Sequence, residues 1–264
     1  MSLALIAGRG QLPALVAASQ QTKPLICAYE DHLPEGLEVD LTFRLETLGT
    51  LLVHLGQRGI TEVCMAGGIS RPEIDASKLD EETAPLVPLF QEALAKGDDG
   101  ALRVVVDLFE KTGFAVRGAH DLAPHLLAEG GVYSDQWPTA RTRSDAQAGA
   151  EHIAAIGPQD IGQACIVVNG AVVAMEDSTG TDALINSRAP FRKSDMAVLF
   201  KGPKPQQSRR VDLPTIGPQT IEAAAGAGLT AVVVDAGDVL VLDKDACTRL
   251  ADQHGIVFWA RTGA

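Results

Sequence analysis

The sequence lacks any apolar run long enough to cross a bilayer. Its longer apolar segments, such as residues 164–168, have the length of a strand, whereas a spanning helix needs about 20 apolar residues. Residues 1–7 lead into an apolar stretch with no preceding basic region and no following cleavage site of small residues, so we expect no secretion signal. The sequence therefore predicts a cytoplasmic chain whose membrane contacts are peripheral.

Cysteine is scarce, and its spacing excludes the common cysteine sites. Cys27, Cys64, Cys165 and Cys247 lie far apart, mostly inside apolar strand-like runs, without the paired spacing of a zinc or redox motif. We expect buried free thiols in a reducing compartment. The P-loop signature, the GxSxG motif of serine hydrolases and paired histidine motifs are absent as well.

The chain has no overall excess of basic residues. Its net charge is −12, which excludes a general nucleic-acid binder because such a protein needs a dominant basic face. Residues 188–210 differ from the rest, with seven basic residues and one acid, Asp195. The basic residues are Arg188, Arg192, Lys193, Lys201, Lys204, Arg209 and Arg210. This basic island favours a phosphorylated ligand or an anionic lipid surface, and a solvated charged face is the alternative.

The hydrophobic pattern predicts an α/β protein of two domains. In the first half, apolar strands at residues 3–7, 24–29 and 63–66 alternate with helical segments, which predicts a Rossmann-like parallel sheet with helices. The second half contains a hairpin at residues 164–175 with the turn Asn169-Gly170, and later strands and helices, which predicts a mixed α/β domain. A loose polar stretch places the boundary near residue 132, giving domains 1–132 and 133–264.

A glycine turn follows the first strand and leads into a helix. It consists of Gly8, Arg9, Gly10, Gln11, Leu12 and Pro13. With Glu30 and Asp31 at the distance of a ribose-binding acid, it partly matches a dinucleotide fingerprint, but Pro13 occupies the position of the third glycine. The turn is therefore a weak signal for NAD(P), and it also fits a loop that binds phosphate or uracil, or a ligand-free tight turn.

A segment rich in carboxylates and hydroxyls, residues 175–182, follows the second strand of the hairpin. Its amides and hydroxyls, including Gly180 and Thr181, suit phosphate oxygens, and Glu176 or Asp182 suits a hard divalent cation. The alternative is ordinary helix capping by Ser178 or Thr179.

The most informative stretch is residues 201–218. Its four prolines stiffen the backbone. Asp212 stands near Lys204, Arg209 and Arg210, so we expect an ionised carboxylate that binds a metal or orients water. A structural salt bridge is the alternative. Upstream, His120 follows a predicted strand end, where ligands gather in α/β folds, although a lone histidine is more often structural.

Taken in order, these segments resemble the LpxI-type UDP-2,3-diacylglucosamine pyrophosphatases over essentially the whole chain. The matching stretches are LIAGRGQLP (5–13), MAGG (65–68), RP (71–72), GDD (97–99), GAH (118–120), GTDA (180–183), KP (204–205) and RVDLPTIG (210–217). The last two are the most specific.

The resemblance implies hydrolysis of UDP-2,3-diacylglucosamine to UMP and lipid X in lipid A synthesis, with Mg²⁺ or Mn²⁺, at the inner face of the inner membrane. Asp212 would be the key acid, with Asp182 and Glu176 as further catalytic residues and Asp212 and Asp182 as metal ligands. The implied substrate-binding residues are Gly8, Gly10, Gln11, Leu12, Pro13, Asp99, His120, Gly180, Thr181, Lys204, Arg210, Pro214, Thr215 and Gly217.

Two departures from the family pattern affect the metal ligands. Gln207-Ser208 stands where members often have a glutamine-aspartate pair, and residues 177–180 lack the more usual glutamate before the glycine. The sequence leaves open whether Ser208 changes activity, which acyl chains are preferred, and whether the chain forms a homodimer. Two other functions also stay open, an NAD(P)-dependent oxidoreductase with an atypical Rossmann loop and a non-catalytic nucleotide or lipid carrier.

Overall fold

The computed structural model describes residues 2–69, 74–94, 98–159, 161–205 and 207–263, with the side chains at 92, 94, 98, 99 and 158 outside this description. The chain forms two compact units. The first comprises Met1–Pro124 and Ser208–Asp212, and the second comprises His125–Gln207 and Leu213–Ala264.

A five-stranded parallel sheet lies at the centre of the first unit. Its strands are β1 (Leu3–Ala7), β2 (Leu25–Tyr29), β3 (Leu41–Phe43), β4 (Glu62–Ala66) and β5 (Ala115–Arg117). β1 and β2 are continuous apolar runs because parallel strands are covered on both faces. The strand order β3-β2-β1-β4-β5 changes direction between β1 and β4, and folds of this class bind ligands at that point, outside the carboxyl ends of the strands.

Amphipathic helices cover this sheet. They are α1 (Leu12–Ala18), α2 (Leu48–Gln57), α3 (Val87–Leu94), α4 (Asp98–Lys111) and the short α5 (Ala119–Leu122). Leu48, Leu51, Leu52 and Leu55 form one buried stripe of α2 at helical spacing. They share a core cluster with Phe109 of α4, which is 2% exposed.

The second unit is built on a six-stranded mixed sheet. The strands are β6 (Gly131–Val132), β7 (Ala164–Val168), β8 (Ala171–Met175), β9 (Val198–Lys201), β11 (Ala231–Asp235) and β13 (Val257–Arg261), in the order β6-β13-β11-β9-β7-β8. β9, β11 and β13 are parallel, whereas β7 is antiparallel to both of its neighbours and β6 to β13. A short parallel pair, β10 (Thr215–Ile216) and β12 (Leu240–Val241), forms a separate two-stranded sheet.

Helices pack on both faces of the second sheet. They are α6 (Ala140–Ile156), α7 (Thr181–Ser187), α8 (Pro218–Gly226) and α9 (Lys244–His254). Because strand side chains alternate, Ala231 and Val233 of β11 join the core that contains α6, while Val232 and Val234 join the core that contains α7, α8 and α9. The result is a sheet buried on two sides.

The predicted fold class, an N-terminal Rossmann-like parallel sheet and a C-terminal mixed α/β domain, is confirmed. The hairpin turn is confirmed too, since Asn169 and Gly170 both have positive φ. The boundary at residue 132 stays a prediction; the compact units divide after Pro124, and residues 208–212 return to the first unit.

The four cysteines are free and buried, as predicted. Burial is the main cause that raises the pKa of each thiol to about 12. Among the described residues, no helix is long and apolar enough to cross a membrane.

Candidate functional site

Two glycine loops meet at the point where the first sheet changes direction. The amide of Gly8 donates to the Ala66 carbonyl (2.8 Å), and Arg9 and Gly68 exchange backbone hydrogen bonds of 2.9 and 3.0 Å. The loop after β1 is therefore tied to the loop after β4. A Cβ at Gly8 would lie 2.6 Å from the Gly68 carbonyl oxygen, so this approach requires glycine.

Gly67 and Gly10 offer a matched test of this close approach, because their φ angles are +90° and +88°. A Cβ at Gly67 would lie 2.7 Å from the carbonyl oxygens of Gly8 and Arg9, whereas a Cβ at Gly10 would meet nothing within 4 Å. We expect Gly10→Ala to lower the free energy of unfolding by about 1–2 kcal/mol, for the left-handed backbone alone. Gly67→Ala should lower the free energy of unfolding further, since its methyl group also pushes the two loops apart. Equal losses in urea denaturation would contradict this account.

The start of α1 follows the first glycine loop directly. Gln11 is the N-cap residue and makes no side-chain cap, and Pro13 lies buried in the first turn. Leu12 begins the helix, so the amide groups at this end point out of the helix. Glu30, one of the two acids proposed for a ribose, is instead ion-paired with Arg44 at 3.3 Å.

His120 lies at the carboxyl end of β5, next to the segment Ser208–Asp212. Its ring covers Gly118, where a Cβ would lie 2.5 Å from Nδ1 and 3.4 Å from the Arg209 carbonyl oxygen. Its Nε2 is 3.4 Å from the Asp121 carboxylate. Burial, followed by the charge of Arg209, lowers the pKa of His120 against the opposing effect of Asp121. The structure thus brings together two motifs that lie about 90 residues apart in the sequence.

Asp212 ends a turn that is attached to the first unit. The amides of Val211 and Asp212 donate to the Ser208 carbonyl (3.3 and 3.0 Å), and the Val211 side chain packs against the core of this unit. Arg210 forms an ion pair with Glu110 of α4. Asp212 therefore stands on a segment held at several points, which suits a residue that must be positioned accurately.

In the second unit, Glu176 lies in a buried charge cluster with Lys201 and Thr181. The Thr181 hydroxyl donates to Glu176 Oε1 (2.5 Å) and accepts from Lys201 Nζ (2.6 Å), while Lys201 Nζ lies 3.6 Å from Glu176 Oε1. Glu176 Oε2 accepts from the Gln163 amide at 2.9 Å. The side chains of Lys201 and Glu176 are 8% and 7% exposed.

This cluster fixes the turn that begins α7. Gly180 is the N-cap residue with a φ of +89°, and Thr181 is the first helical residue. Neither Ser178 nor Thr179 caps this helix; Asp177 instead accepts from the amide and hydroxyl of Thr179. Asp182 is exposed in the first turn. Because the Thr181 hydroxyl is engaged internally, the turn has its main-chain amides and Asp182 to offer a ligand.

Lys204 and Gln207, in the first part of the proline-rich stretch 201–218, are held by side-chain hydrogen bonds. The Lys204 amide donates to the Gln207 side chain (2.9 Å), whose amide nitrogen donates to the Gln163 side chain (2.8 Å). After Asp212, the buried Pro214 accepts from the Leu240 amide at 2.8 Å. Its neighbour Thr215 lies in β10.

Gly217 is the N-cap residue of α8, so the positive end of that helix lies at the end of the RVDLPTIG motif.

Asp99 falls in α4, but its side chain is outside the described residues, as are all of Arg71 and Pro72. Among the residues that are described, no three His, Cys, Asp or Glu side chains form a group able to hold a metal ion.

Comparison with known proteins matches both halves of the chain to one family. The model of the LpxI N-terminal domain matches residues 2–126, and that of the LpxI C-terminal domain matches residues 129–259. The chain is also 35% identical, over 96% of its length and 95% of the relative's, to a Caulobacter vibrioides protein named UDP-2,3-diacylglucosamine pyrophosphatase LpxI.

The chain belongs to the LpxI family.

The LpxI domain limits, at residues 126 and 129, lie close to the main division between the compact units after Pro124, and the larger difference is at residues 208–212. Asp212 falls within the matched C-terminal domain by residue number, yet its segment packs with the first unit.

The partners of Lys201 could not be predicted from the sequence. This lysine ends a strand of four buried residues, and that position signals burial despite its place in the basic island.

Proposed function

We propose that this protein hydrolyses the pyrophosphate bond of UDP-2,3-diacylglucosamine, releasing UMP and 2,3-diacylglucosamine 1-phosphate (lipid X) in lipid A biosynthesis. The observation that carries the proposal is the LpxI match across both domains, with a 35% identical relative whose name states this activity. The direct test is incubation with this substrate and identification of both products by mass spectrometry.

Asp212 is the residue that we assign to the attacking water. A carboxylate held on a fixed turn can accept a proton from water as its oxygen bonds to one phosphorus and the bridging P–O bond breaks. The leaving phosphate takes the electron pair of the broken bond. Lys204 supplies positive charge for the phosphate oxygens, as does Arg210, whose guanidinium is shared with Glu110, and amide donors come from the turns at Gly180 and Gly217.

The first unit suits the nucleotide part of this substrate. The loops at Gly8 and Gly67 lie at the change of direction in the sheet, where α/β folds bind nucleotides. The amides at the start of α1 can donate to a phosphate or a uracil oxygen. Within this unit, His120 and Asp212 belong to segments in mutual contact.

A divalent cation, Mg²⁺ or Mn²⁺, fits the donors that the chain offers. Magnesium commonly takes one or two carboxylates and completes its shell with water and substrate phosphates, so a cage of three protein ligands is not required. Taking each unit by itself, Asp212 is the carboxylate that we propose for it in the first unit and Asp182 the one in the second, whereas Glu176 is already paired with Lys201. Such an ion would neutralise charge on the pyrophosphate oxygens.

We expect excess EDTA to abolish turnover and added Mg²⁺ or Mn²⁺ to restore it, because hard oxygen donors and two phosphates favour these ions. The control is EDTA already saturated with Mg²⁺, which should leave turnover unchanged. Full turnover in excess free EDTA would contradict the metal assignment.

A peripheral contact with anionic lipid at the inner face of the inner membrane would bring the enzyme to an acylated substrate. Arg188, Arg192 and Lys193 are exposed and suit this contact. The expectation that Lys201 joins them is wrong, because its side chain is 8% exposed and bonded to Thr181.

We expect Arg192→Gln/Lys193→Gln to weaken binding to anionic vesicles by roughly 30-fold, at about 1 kcal/mol per basic residue. Arg58→Gln/Lys111→Gln, which removes two exposed charges from the first unit, is the matched control in vesicle co-sedimentation. An equal loss in both double variants would indicate net charge alone, and this would contradict a specific surface.

The two other functions fit the site less well. A nicotinamide-dependent oxidoreductase would have a third glycine where this chain has Pro13, and Glu30, one of the two acids proposed for the ribose, is ion-paired with Arg44. A non-catalytic carrier would bind the substrate without needing Asp212. Turnover that depends on Asp212 therefore separates the hydrolase from both.

A further inference from the structure

His32 is a buried histidine at the carboxyl end of β2, three residues after Tyr29. It is 5% exposed, and its amide donates to the Tyr29 carbonyl at 2.9 Å. Its ring stacks on that of Tyr29, with centroids 5.2 Å apart and planes inclined by 26°. The ring therefore has a fixed place, and it has no role in the hydrolysis step that we assign to Asp212.

The ring of His32 lacks the hydrogen bonds that a buried histidine normally makes. In the part of the chain that the structure describes, Nδ1 is buried without a hydrogen-bond partner. A buried polar atom without a partner lowers stability, so its retention calls for an explanation. Nε2 is not among the buried polar atoms without a partner, so it is the nitrogen that a ligand can reach.

The surroundings favour the neutral form of this imidazole. Burial, followed by the charge of Arg9, lowers the pKa of His32, against the opposing effect of Asp31. We assign the single ring proton to Nε2, since a buried N–H at Nδ1 would have no acceptor. His32 then presents a neutral donor.

His32 also stands where a nucleoside is expected. β2 pairs with β1 so that Ala28 lies opposite Ala7, and the loop containing Gly8 begins at the next residue. In sheets of this type the end of β2 approaches the ribose of a nucleotide whose phosphates lie at the β1 loop. Glu30, one of the two acids in this loop, is engaged by Arg44.

We propose that His32 donates a hydrogen bond from Nε2 to an oxygen of the uridine moiety, so that it sets affinity for the nucleoside rather than for the phosphates. The identity of the nucleotide rests on the proposed function. The ligand class is a pyrimidine nucleoside monophosphate, and UMP is the probe.

The test is calorimetric binding of UMP and of pyrophosphate to the wild type, His32→Leu and His32→Gln. His32→Leu should weaken UMP about 3- to 10-fold, as expected for one neutral hydrogen bond, and leave pyrophosphate unchanged. His32→Gln should retain most of the affinity, because the glutamine amide nitrogen can take the place of Nε2. The melting temperature of His32→Leu should not fall, since an unpartnered nitrogen is replaced by an apolar group. His54→Leu, at an exposed histidine of α2, is the control.

Unchanged UMP affinity in His32→Leu would overturn the proposal, as would an equal loss of UMP and pyrophosphate affinity. A lowered melting temperature with normal UMP binding would assign the ring to packing and would overturn it too. The outcome is separable from the proposed function. If the wild type cleaves UDP-2,3-diacylglucosamine but His32→Leu binds UMP normally, only the role of His32 fails.

Discussion

Asp212→Ala is expected to lower kcat by about 10² to 10⁴, the usual range for loss of a general base. Binding should survive or tighten, because removal of a negative charge beside the pyrophosphate relieves repulsion in the ground state. The variant should therefore retain substrate or product during purification. Single-turnover rates and substrate affinity, measured on one preparation, separate these effects.

Two comparisons make the Asp212 result specific. Asp212→Asn keeps the shape of the side chain and removes its charge, so it should lose turnover like the alanine variant. Asp107→Ala removes an exposed acid of α4 and should behave as the wild type. A structural role for Asp212 would instead lower the melting temperature and abolish binding and turnover together. A stable Asp212→Ala with near-normal turnover would remove it from the catalytic assignment.

The second large effect concerns stability. Lys201→Met should lower the free energy of unfolding by about 3–5 kcal/mol, because it leaves the buried Glu176 carboxylate without its cation. The neighbouring Thr181 hydroxyl would lose its donor as well. Urea denaturation measures the loss directly.

Neutralising the partner tests whether the uncompensated charge is the cause. Lys201→Met/Glu176→Gln should recover much of the stability, since replacing both charges of a buried pair is often close to neutral. Lys193→Met, at an exposed position, should change stability little. A Lys201→Met protein as stable as the wild type would contradict the buried pair.

Local patterns sufficed for much of the fold. β1 and β2 were predictable from continuous apolar runs between turns, and the β7–β8 hairpin from Asn169-Gly170. Helix α6 begins at Ala140 because Thr139 caps it by accepting from the Thr142 amide. Strand β13 was not predicted, since its pairing with β11 and β6 depends on distant residues.

The candidate site was harder to predict from the sequence than the fold, because its contacts join segments that are distant in the chain. Glu176 and Lys201 are 25 residues apart and meet only after β8 and β9 take their places in one sheet. The approach of residues 208–212 to His120 likewise depends on a return of the chain to the first unit. The motifs could therefore be recognised in the sequence, whereas the residues that contact them are known only from the structure.

The most direct test of the hydrolase assignment is turnover of UDP-2,3-diacylglucosamine in ¹⁸O-labelled water with Mg²⁺, followed by mass spectrometry of the phosphate-containing products. We expect equal amounts of UMP and 2,3-diacylglucosamine 1-phosphate, with one ¹⁸O atom in one of the two, and a much lower rate in Asp212→Ala. Formation of UDP and a free sugar, or product levels that Asp212→Ala matches, would contradict it.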